Sequence, residues 1–196
     1  MVEVEVKLPI DSIEKLQSDL ECLRFVKTGM FCEEDCYFDN DTRQIRTNGQ
    51  ALRIRKVTDL QSDHSDVVIT FKGKKMDQVS MSRRELEIQI ADAETGIQIF
   101  EALGFRIVPP KVIKIRNEYK IGQMTACIDQ VQNLGDFLEL EIVIQEDEDK
   151  NEALGQIESV LQKLGYSLKD TVRNSYLSML QHTQIGIPYC IFQGIS

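Results

Sequence analysis

Tryptophan is missing from this sequence, histidine occurs twice and proline four times, and no long uninterrupted apolar run is present. Without about twenty consecutive apolar residues, no membrane-spanning helix is expected. His64 sits in a polar stretch (SDHSD), and neither it nor His182 has a nucleophile close by in sequence, which argues against a Ser–His or Cys–His hydrolase. A GxxxxGK[ST] loop is also lacking, so any phosphate site is of another kind. The first ten residues, MVEVEVKLPI, have neither the basic nor the apolar block of a signal peptide. Five cysteines, an odd number without a secretory signal, point to reduced thiols and a cytoplasmic protein. Cys32 and Cys36 are close, but no second Cys or His pair follows at zinc-finger spacing, which disfavours a zinc site. Basic charge is in short supply too: 23 Lys and Arg stand against 32 Asp and Glu, a net charge of −9. That balance argues against nucleic acid and anionic membranes as partners.

What remains is a chain of 196 residues with 42% hydrophobic and 28% charged residues, enough for a sizeable core. Residues 1–181 read as one domain. Residues 182–196 are more apolar than a solvated end and read as a tail that docks on the body or on a partner.

Residues 2–8 alternate strictly, with Val2, Val4, Val6 and Leu8 on one face and Glu3, Glu5 and Lys7 on the other. A helix should follow, N-capped by Asp11, with Ile13, Leu16, Leu20 and Leu23 as its apolar stripe. A strand with Glu-x-Glu and then an amphipathic helix returns at residues 84–90 (Glu85, Glu87) and 137–144 (Glu139, Glu141). Their helices run through Ile97, Phe100 and Leu103 and through Leu154, Ile157, Val160 and Leu164, and each stops at a glycine. Further strands are expected at 35–39, 51–57, 66–72, 112–121 and 124–129. Polar loops fall at 58–66 and 73–81, and Pro109-Pro110 breaks the chain before a strand. A last helix is expected over 169–181.

Charge on these strands comes in like pairs: Glu3/Glu5, Arg53/Arg55, Glu85/Glu87, Lys114/Arg116 and Glu139/Glu141. An antiparallel sheet with one wet face explains any single pair. The set as a whole fits a sheet that closes, so that its charged faces line a polar tunnel. Carboxylates from neighbouring strands supply hard oxygen ligands for Mg²⁺ or Mn²⁺, and Arg and Lys opposite them suit phosphate oxygens.

The strand Glu3-Val4-Glu5-Val6-Lys7 resembles the ExExK signature of the CYTH superfamily, the triphosphate tunnel metalloenzymes. Further landmarks follow in order: Leu52-Arg53-Ile54-Arg55, Phe71-Lys72-Gly73, Arg84-Glu85-Leu86-Glu87, Lys114-Ile115-Arg116, Ile128-Asp129, the LGDFLELE segment from Leu134 to Glu141, and Arg173-Asn174-Ser175-Tyr176. The ordered set covers residues 1–181, and LGDFLELE is most similar to the class IV adenylyl cyclase (CyaB-like) branch. Thiamine triphosphatases carry a similar stretch. The resemblance implies an α+β fold: a closed eight-stranded antiparallel β-barrel, or tunnel, with helices outside. It implies that Glu3, Glu5, Glu139 and Glu141 hold Mg²⁺ or Mn²⁺. Lys7, Arg53, Arg55, Lys72, Lys114 and Arg116 would grip phosphate, and Arg173 would cover one end. Glu85, Glu87 and Asp129 would hold a second metal, orient the cations or position a nucleophile, with Asp129, Lys7 and Arg173 as the catalytic candidates. The bland reading of Glu85, Glu87 and Glu118 is as counter-ions for buried Arg and Lys.

The activity implied is class IV adenylyl cyclase-like conversion of ATP to cyclic AMP and pyrophosphate. The alternatives are hydrolysis of tripolyphosphate, thiamine triphosphate or nucleoside triphosphate, and a non-catalytic module that binds polyphosphate or nucleotide. The expected partner is a triphosphate-bearing small molecule, with no nucleic acid and no membrane; a homodimer is allowed.

Overall fold

The structure is a computed structural model and describes residues 2–74, 83–145 and 148–184. Strand β1 (Val2–Pro9) buries Val2, Val4, Val6 and Leu8 on one face, as the alternation requires. Strands β2 (Val26–Asn40), β3 (Ala51–Asp59), β4 (Ser65–Lys72), β5 (Arg83–Ile90), β6 (Phe105–Ile121), β7 (Met124–Val131) and β8 (Gly135–Ile144) complete a closed antiparallel barrel in the order β1-β5-β4-β3-β2-β6-β7-β8. The β1–β8 ladder has eight aligned residues, whereas β1 meets β5 only at Val2–Arg84 and Glu3–Arg83.

Two apolar cores lie outside the barrel. Helices α1 (Ile13–Cys22) and α4 (Lys150–Lys163) bring Leu16, Leu20, Ile157 and Leu161 against the outward residues of β1, β7 and β8, including Val6, Ile128, Leu138 and Leu140. Helix α3 (Ala93–Ala102) lays Ile97 and Phe100 on Phe38, Leu52 and Ile54. It comes close because Gly96 carries no side chain where a Cβ would stand 2.7 Å from Ile90. Helix α5 (Tyr176–Gln184) behaves differently from the helices expected outside. Its Tyr176, Met179 and Leu180 pack on Val112, Val131 and Phe137, residues that alternate in register with Lys114, Asp129 and Glu139 and so face inward. The helix closes one end of the lumen.

Several boundaries differ from those expected. Ser12, not Asp11, caps α1, because the helix begins one residue later and the Ser12 hydroxyl accepts the Lys15 N–H at 3.2 Å. The strand expected at 35–39 is the end of a much longer β2, held by pairing with β6 from Val26 onward. Strand β6 starts at Phe105 and passes through Pro109-Pro110 instead of starting after it. The pairing steps from Asp35–Val112 to Tyr37–Val108, so the ladder skips the two residues that have no N–H to give. The final helix is split. A 3₁₀ turn (Leu168–Asp170) precedes an extended segment in which the Val172 N–H donates to the Lys7 carbonyl at 2.6 Å, and α5 begins after it. The loop expected at 58–66 is shorter, since Thr58 and Ser65 are paired. Most of the 73–81 loop and of the 182–196 tail lies outside the described residues. Among the described residues no helix is long and apolar enough to cross a membrane.

Leu140 is fully buried between β8 and the helices. Leu140→Ala should therefore cost about 2–5 kcal/mol in denaturant unfolding, while Ile99→Ala, at a 53% exposed position, should stay within about 0.5 kcal/mol of the parent.

Candidate active site

Strand alternation sends one side of every strand into the lumen, and the antiparallel register decides which charges meet there. Lys7 stands opposite Glu139, Glu33 opposite Lys114, Asp35 opposite Arg55, Lys72 opposite Glu85, and Arg116 opposite Asp129. Each of these pairs joins opposite charges. Glu5 is the exception: its partner across the ladder is Glu141. Like charges facing each other on a sheet destabilise it unless something neutralises them.

One part of the wall is a lattice of ion pairs. Arg55 donates bidentately to Asp35, Nε to Oδ1 at 2.6 Å and an Nη to Oδ2 at 2.8 Å, and reaches Glu33 at 2.7 Å. Lys114 bridges Asp129 at 2.7 Å and Glu33 at 3.1 Å. Arg116 clasps Asp129 through two bonds of 2.7 and 2.6 Å and also pairs with Glu139. The Tyr176 hydroxyl donates to Asp129 at 3.0 Å. Asp129 is thus wholly buried and saturated by three cationic or hydroxyl partners, which makes it an orienter of the Lys114 and Arg116 side chains. Burial works against ionising Glu33 and Asp35, but the surrounding Arg and Lys charges outweigh it and hold both carboxyls below their usual range. Lys7 lies 3.9 Å from Glu139 and 4.1 Å above the Tyr176 ring. Burial lowers its ammonium pKa, partly offset by Glu139 and Glu5.

Arg53 is less fully matched. It is buried, its carboxylate contact among the described residues is Asp35 at 3.5 Å, and its Nε has no hydrogen-bond partner. A guanidinium with buried donors to spare suits an incoming phosphate oxygen.

The other part of the wall carries too much acid. Glu3, Glu5, Glu85 and Glu141 share Lys72, which contacts Glu3 at 3.1 Å and pairs with Glu85. Burial and the charges of Glu139 and Glu3 push the Glu5 pKa up to about 7. Burial with Glu3 and Glu5 pushes Glu141 to about 9, and burial pushes Glu85 to about 7 against the pull of Lys72. Glu3 is the anion of the group: burial opposes its charge, but Lys72 and hydrogen bonds from Glu85 and Glu141 hold its pKa down. The carboxyls therefore share protons where a divalent cation would supply positive charge. The donor set, all hard oxygen with surplus negative charge, fits Mg²⁺ or Mn²⁺. Among the described residues no three ligating groups already converge on one point; Glu3, Glu5 and Glu141 are the carboxylates that would hold such an ion.

The remaining expected residues are distributed as follows. Arg173 and Tyr176 both line the cavity. Glu139 belongs to the ion-pair lattice through Arg116 while adding its field to Glu5. Glu87 is exposed and accepts a bond from Thr70 Oγ1 at 2.8 Å, apart from the acid cluster. Glu118 accepts from Thr28 at 2.6 Å. The wall also contains two acids that the expected site lacks, Glu33 and Asp35. Their signal is the spacing Glu33-x-Asp35 matching Arg53-x-Arg55, hidden by the intervening Glu34 and by the expected strand start at residue 35. The cavity, partly open to solvent, is about 340 Å³ and is lined by Glu3, Glu5, Lys72, Arg53, Arg116 and Glu141 among others; it lies at the small end of ligand pockets, roughly 300–1,000 Å³.

The proton-sharing cluster fixes the sign of a pH effect. A carboxyl whose pKa is raised on folding stabilises the protein fully below its unfolded value, and that contribution is lost as pH rises through the folded one. For Glu5 and Glu85, at about 7, and Glu141, at about 9, the metal-free melting temperature should fall as pH rises from roughly 5 to 9. Glu141→Gln should flatten that decline in a thermal-melt series; a decline of unchanged slope would contradict the assignment.

A match to the CYTH domain family covers residues 1–176. The chain is 38% identical over 179 residues to "Putative adenylate cyclase MJ0240" of Methanocaldococcus jannaschii, a match spanning 91% of this chain and 98% of the relative. It is 25% identical over 151 residues to adenylate cyclase CyaB of Aeromonas hydrophila, covering 77% of this chain and 73% of that one. A protein of Pyrococcus horikoshii with a solved structure superposes with a TM-score of 0.83 at 31% identity, over 92% of this chain and 99% of that one. The eight-stranded charged barrel, the ordered motifs and these full-length likenesses together make the chain a member of the CYTH family.

Proposed function

We propose that the chain is a metal-dependent enzyme that binds the triphosphate of a small molecule in the barrel lumen and cleaves it, in the manner of class IV adenylyl cyclase. The observation that carries this reading is the Glu5–Glu141 pair, two acids opposite each other in a closed barrel whose cavity is also lined by Arg53 with an unpartnered Nε. An acid surplus next to unspent cation donors calls for a metal and a polyanion together.

In the cyclase reaction the ribose 3′-oxygen attacks the α-phosphorus of ATP. The bond from that phosphorus to the bridging oxygen breaks, and pyrophosphate leaves. Arg53, Arg55, Lys72, Lys114 and Arg116 hold phosphate oxygens and meet the charge that develops on them. Lys7, whose ammonium is less firmly protonated because it is buried, acts as the neutral amine that accepts the proton the attacking 3′-hydroxyl loses, while pyrophosphate leaves as the anion held by the Arg and Lys side chains. Asp129 positions Lys114 and Arg116, and Arg173 covers the mouth. Mg²⁺ or Mn²⁺ on Glu3, Glu5 and Glu141, with Glu139 and Glu85 adjoining, would supply Lewis-acid polarisation of the phosphate.

Hydrolysis is the second reading. It is supported by the buried Lys7, Arg53 and Lys114 on the cavity wall, groups that suit phosphate oxygens; water then attacks phosphorus in place of the ribose oxygen. The functional unit is residues 1–181 of a cytoplasmic protein, with small-molecule triphosphates as its partners.

Assays with ATP and tripolyphosphate under Mg²⁺ or Mn²⁺ that read cyclic AMP, pyrophosphate and orthophosphate test both. Glu5→Gln should lower turnover by about a hundredfold or more with the fold intact. Arg53→Ala should lower kcat/KM roughly ten- to a hundredfold, the loss of about 1.5–3 kcal/mol of charge-assisted hydrogen bonding. Full turnover in excess chelator, or none with any triphosphate, would overturn the reading.

A further inference from the structure

Strand β6 extends past its neighbour on one side. From Lys114 to Ile121 it lies between β2 and β7, but the stretch before that, from Phe105, pairs with β2 alone. Among the described residues no strand lies on its other side. A free edge of this kind invites a further strand unless charge or proline guards it. Pro109 and Pro110 guard the half toward Lys111, whereas the half from Phe105 to Val108 holds Arg106 among three apolar residues. The outer face there is apolar as well. Ile107 stands opposite Phe38, which α3 buries, so Ile107 and Phe105, two residues apart, share that face. Leu103, which ends α3, adjoins them in the chain. Leu103 is 69% exposed and Ile107 43%.

Helix α5 ends beside this edge. The Gln181 amide donates to the Pro109 carbonyl at 2.7 Å, and its oxygen accepts at 3.0 Å from the guanidinium of Arg46, on the short helix α2 (Gln44–Thr47). Four residues after Gln181 begins the stretch 185–196, IGIPYCIFQGIS, which lies outside the described residues and beyond the part that matches the family. Seven of its twelve residues are apolar and none of its side chains is charged, a composition that favours burial over solvation. Its apolar residues also keep a period of two: Ile185, Ile187, Tyr189 and Ile191 would share one face of an extended chain. Pro188 falls between them, among the residues whose backbone groups would point away from a neighbouring strand, where a missing N–H costs little.

We infer that residues 185–196 add to the free edge of β6 as an extended strap, running back along it from Pro109 and covering Leu103, Phe105 and Ile107. The occupant is this chain's own segment because it starts beside the edge. The strand from Pro109 back to Phe105 spans about 13 Å, and twelve extended residues reach about 40 Å. Tethering replaces the recruitment of a second molecule by the closure of a short loop. The strap pins α5 at its C-terminal end, as the bond from the Val172 N–H to the Lys7 carbonyl anchors the chain ahead of it. It thereby holds the helix that closes the lumen and presents Tyr176 to Asp129.

Hydrogen exchange and thiol labelling of the full chain, each read by peptide mass spectrometry, test the strap. With Ile187→Asp and Ile191→Asp together, the amides of residues 105–108 should exchange about tenfold faster, and those of β7 should be unchanged. The thiol introduced by Ile107→Cys should react with iodoacetamide about tenfold faster when the same two substitutions are added. The doubly substituted chain should melt about 2–8 °C below the parent. Exchange and labelling that are the same with and without the two aspartates would remove the strap. Protection of residues 105–108 that grows with protein concentration would assign the edge to a second copy and equally overturn it.

Discussion

Charge compensation inside a closed barrel governs this molecule. A barrel of antiparallel strands has no free edges, and most charged side chains on its inner face are buried, so each lysine, arginine and carboxylate pointing inward must find an opposite charge or give up its own. The cross-strand register provides that partner for Lys7, Glu33, Asp35, Lys72, Lys114, Arg116, Asp129 and Glu139. It withholds one from Glu5 and Glu141, which face each other, and leaves Arg53 with donors to spare. The imbalance is local, and it sits where a metal and a polyphosphate would complete the circuit.

The apolar half of the sequence makes that imbalance tolerable. Helices α1 and α4 on one side and α3 on the other bury the outward faces of the strands, so the barrel is clamped from outside and does not depend on the lumen for its core. Helix α5 enters from the C-terminal end, packs on inward apolar residues and hands the Tyr176 hydroxyl to Asp129. Closure of the lumen and orientation of the ion-pair lattice are thereby the work of one segment. The Lys7 carbonyl, bonded to the Val172 N–H, anchors that segment to the strand that carries Glu3, Glu5 and Lys7.

Much of this is legible in the amino-acid order because a strand's period of two separates its faces cleanly. The alternation in VEVEVKL, RIR, RELE, KIR and FLELE picks out the inner face residue by residue. What alternation cannot tell is which inward charge lies opposite which, since register is a property of two strands. Hence the motifs group Glu139 with Glu5 and Glu141 as a metal ligand and leave Asp129 open between metal ligand and orienter, although the ion-pair lattice occupies both. Glu33 was missed because β2 begins nine residues before the stretch that reads as a strand, with Gly29 and the run Glu33-Glu34-Asp35 masking its pattern. The prolines of β6 misled for a related reason: they break a ladder unless the partner strand shifts past them, and here it does.

The central claim is that the lumen's acids fall into two kinds, one holding cations in place and one awaiting a metal. Mn²⁺ binding followed by electron paramagnetic resonance on Glu33→Gln and Glu141→Gln separates the two kinds directly. Glu141→Gln should weaken Mn²⁺ by about tenfold or more while the barrel stays folded. Glu33→Gln should retain Mn²⁺ affinity but melt at a lower temperature, because Arg55 and Lys114 lose a buried partner at a cost of about 3–5 kcal/mol. Loss of Mn²⁺ in Glu33→Gln together with undiminished binding in Glu141→Gln would contradict the account.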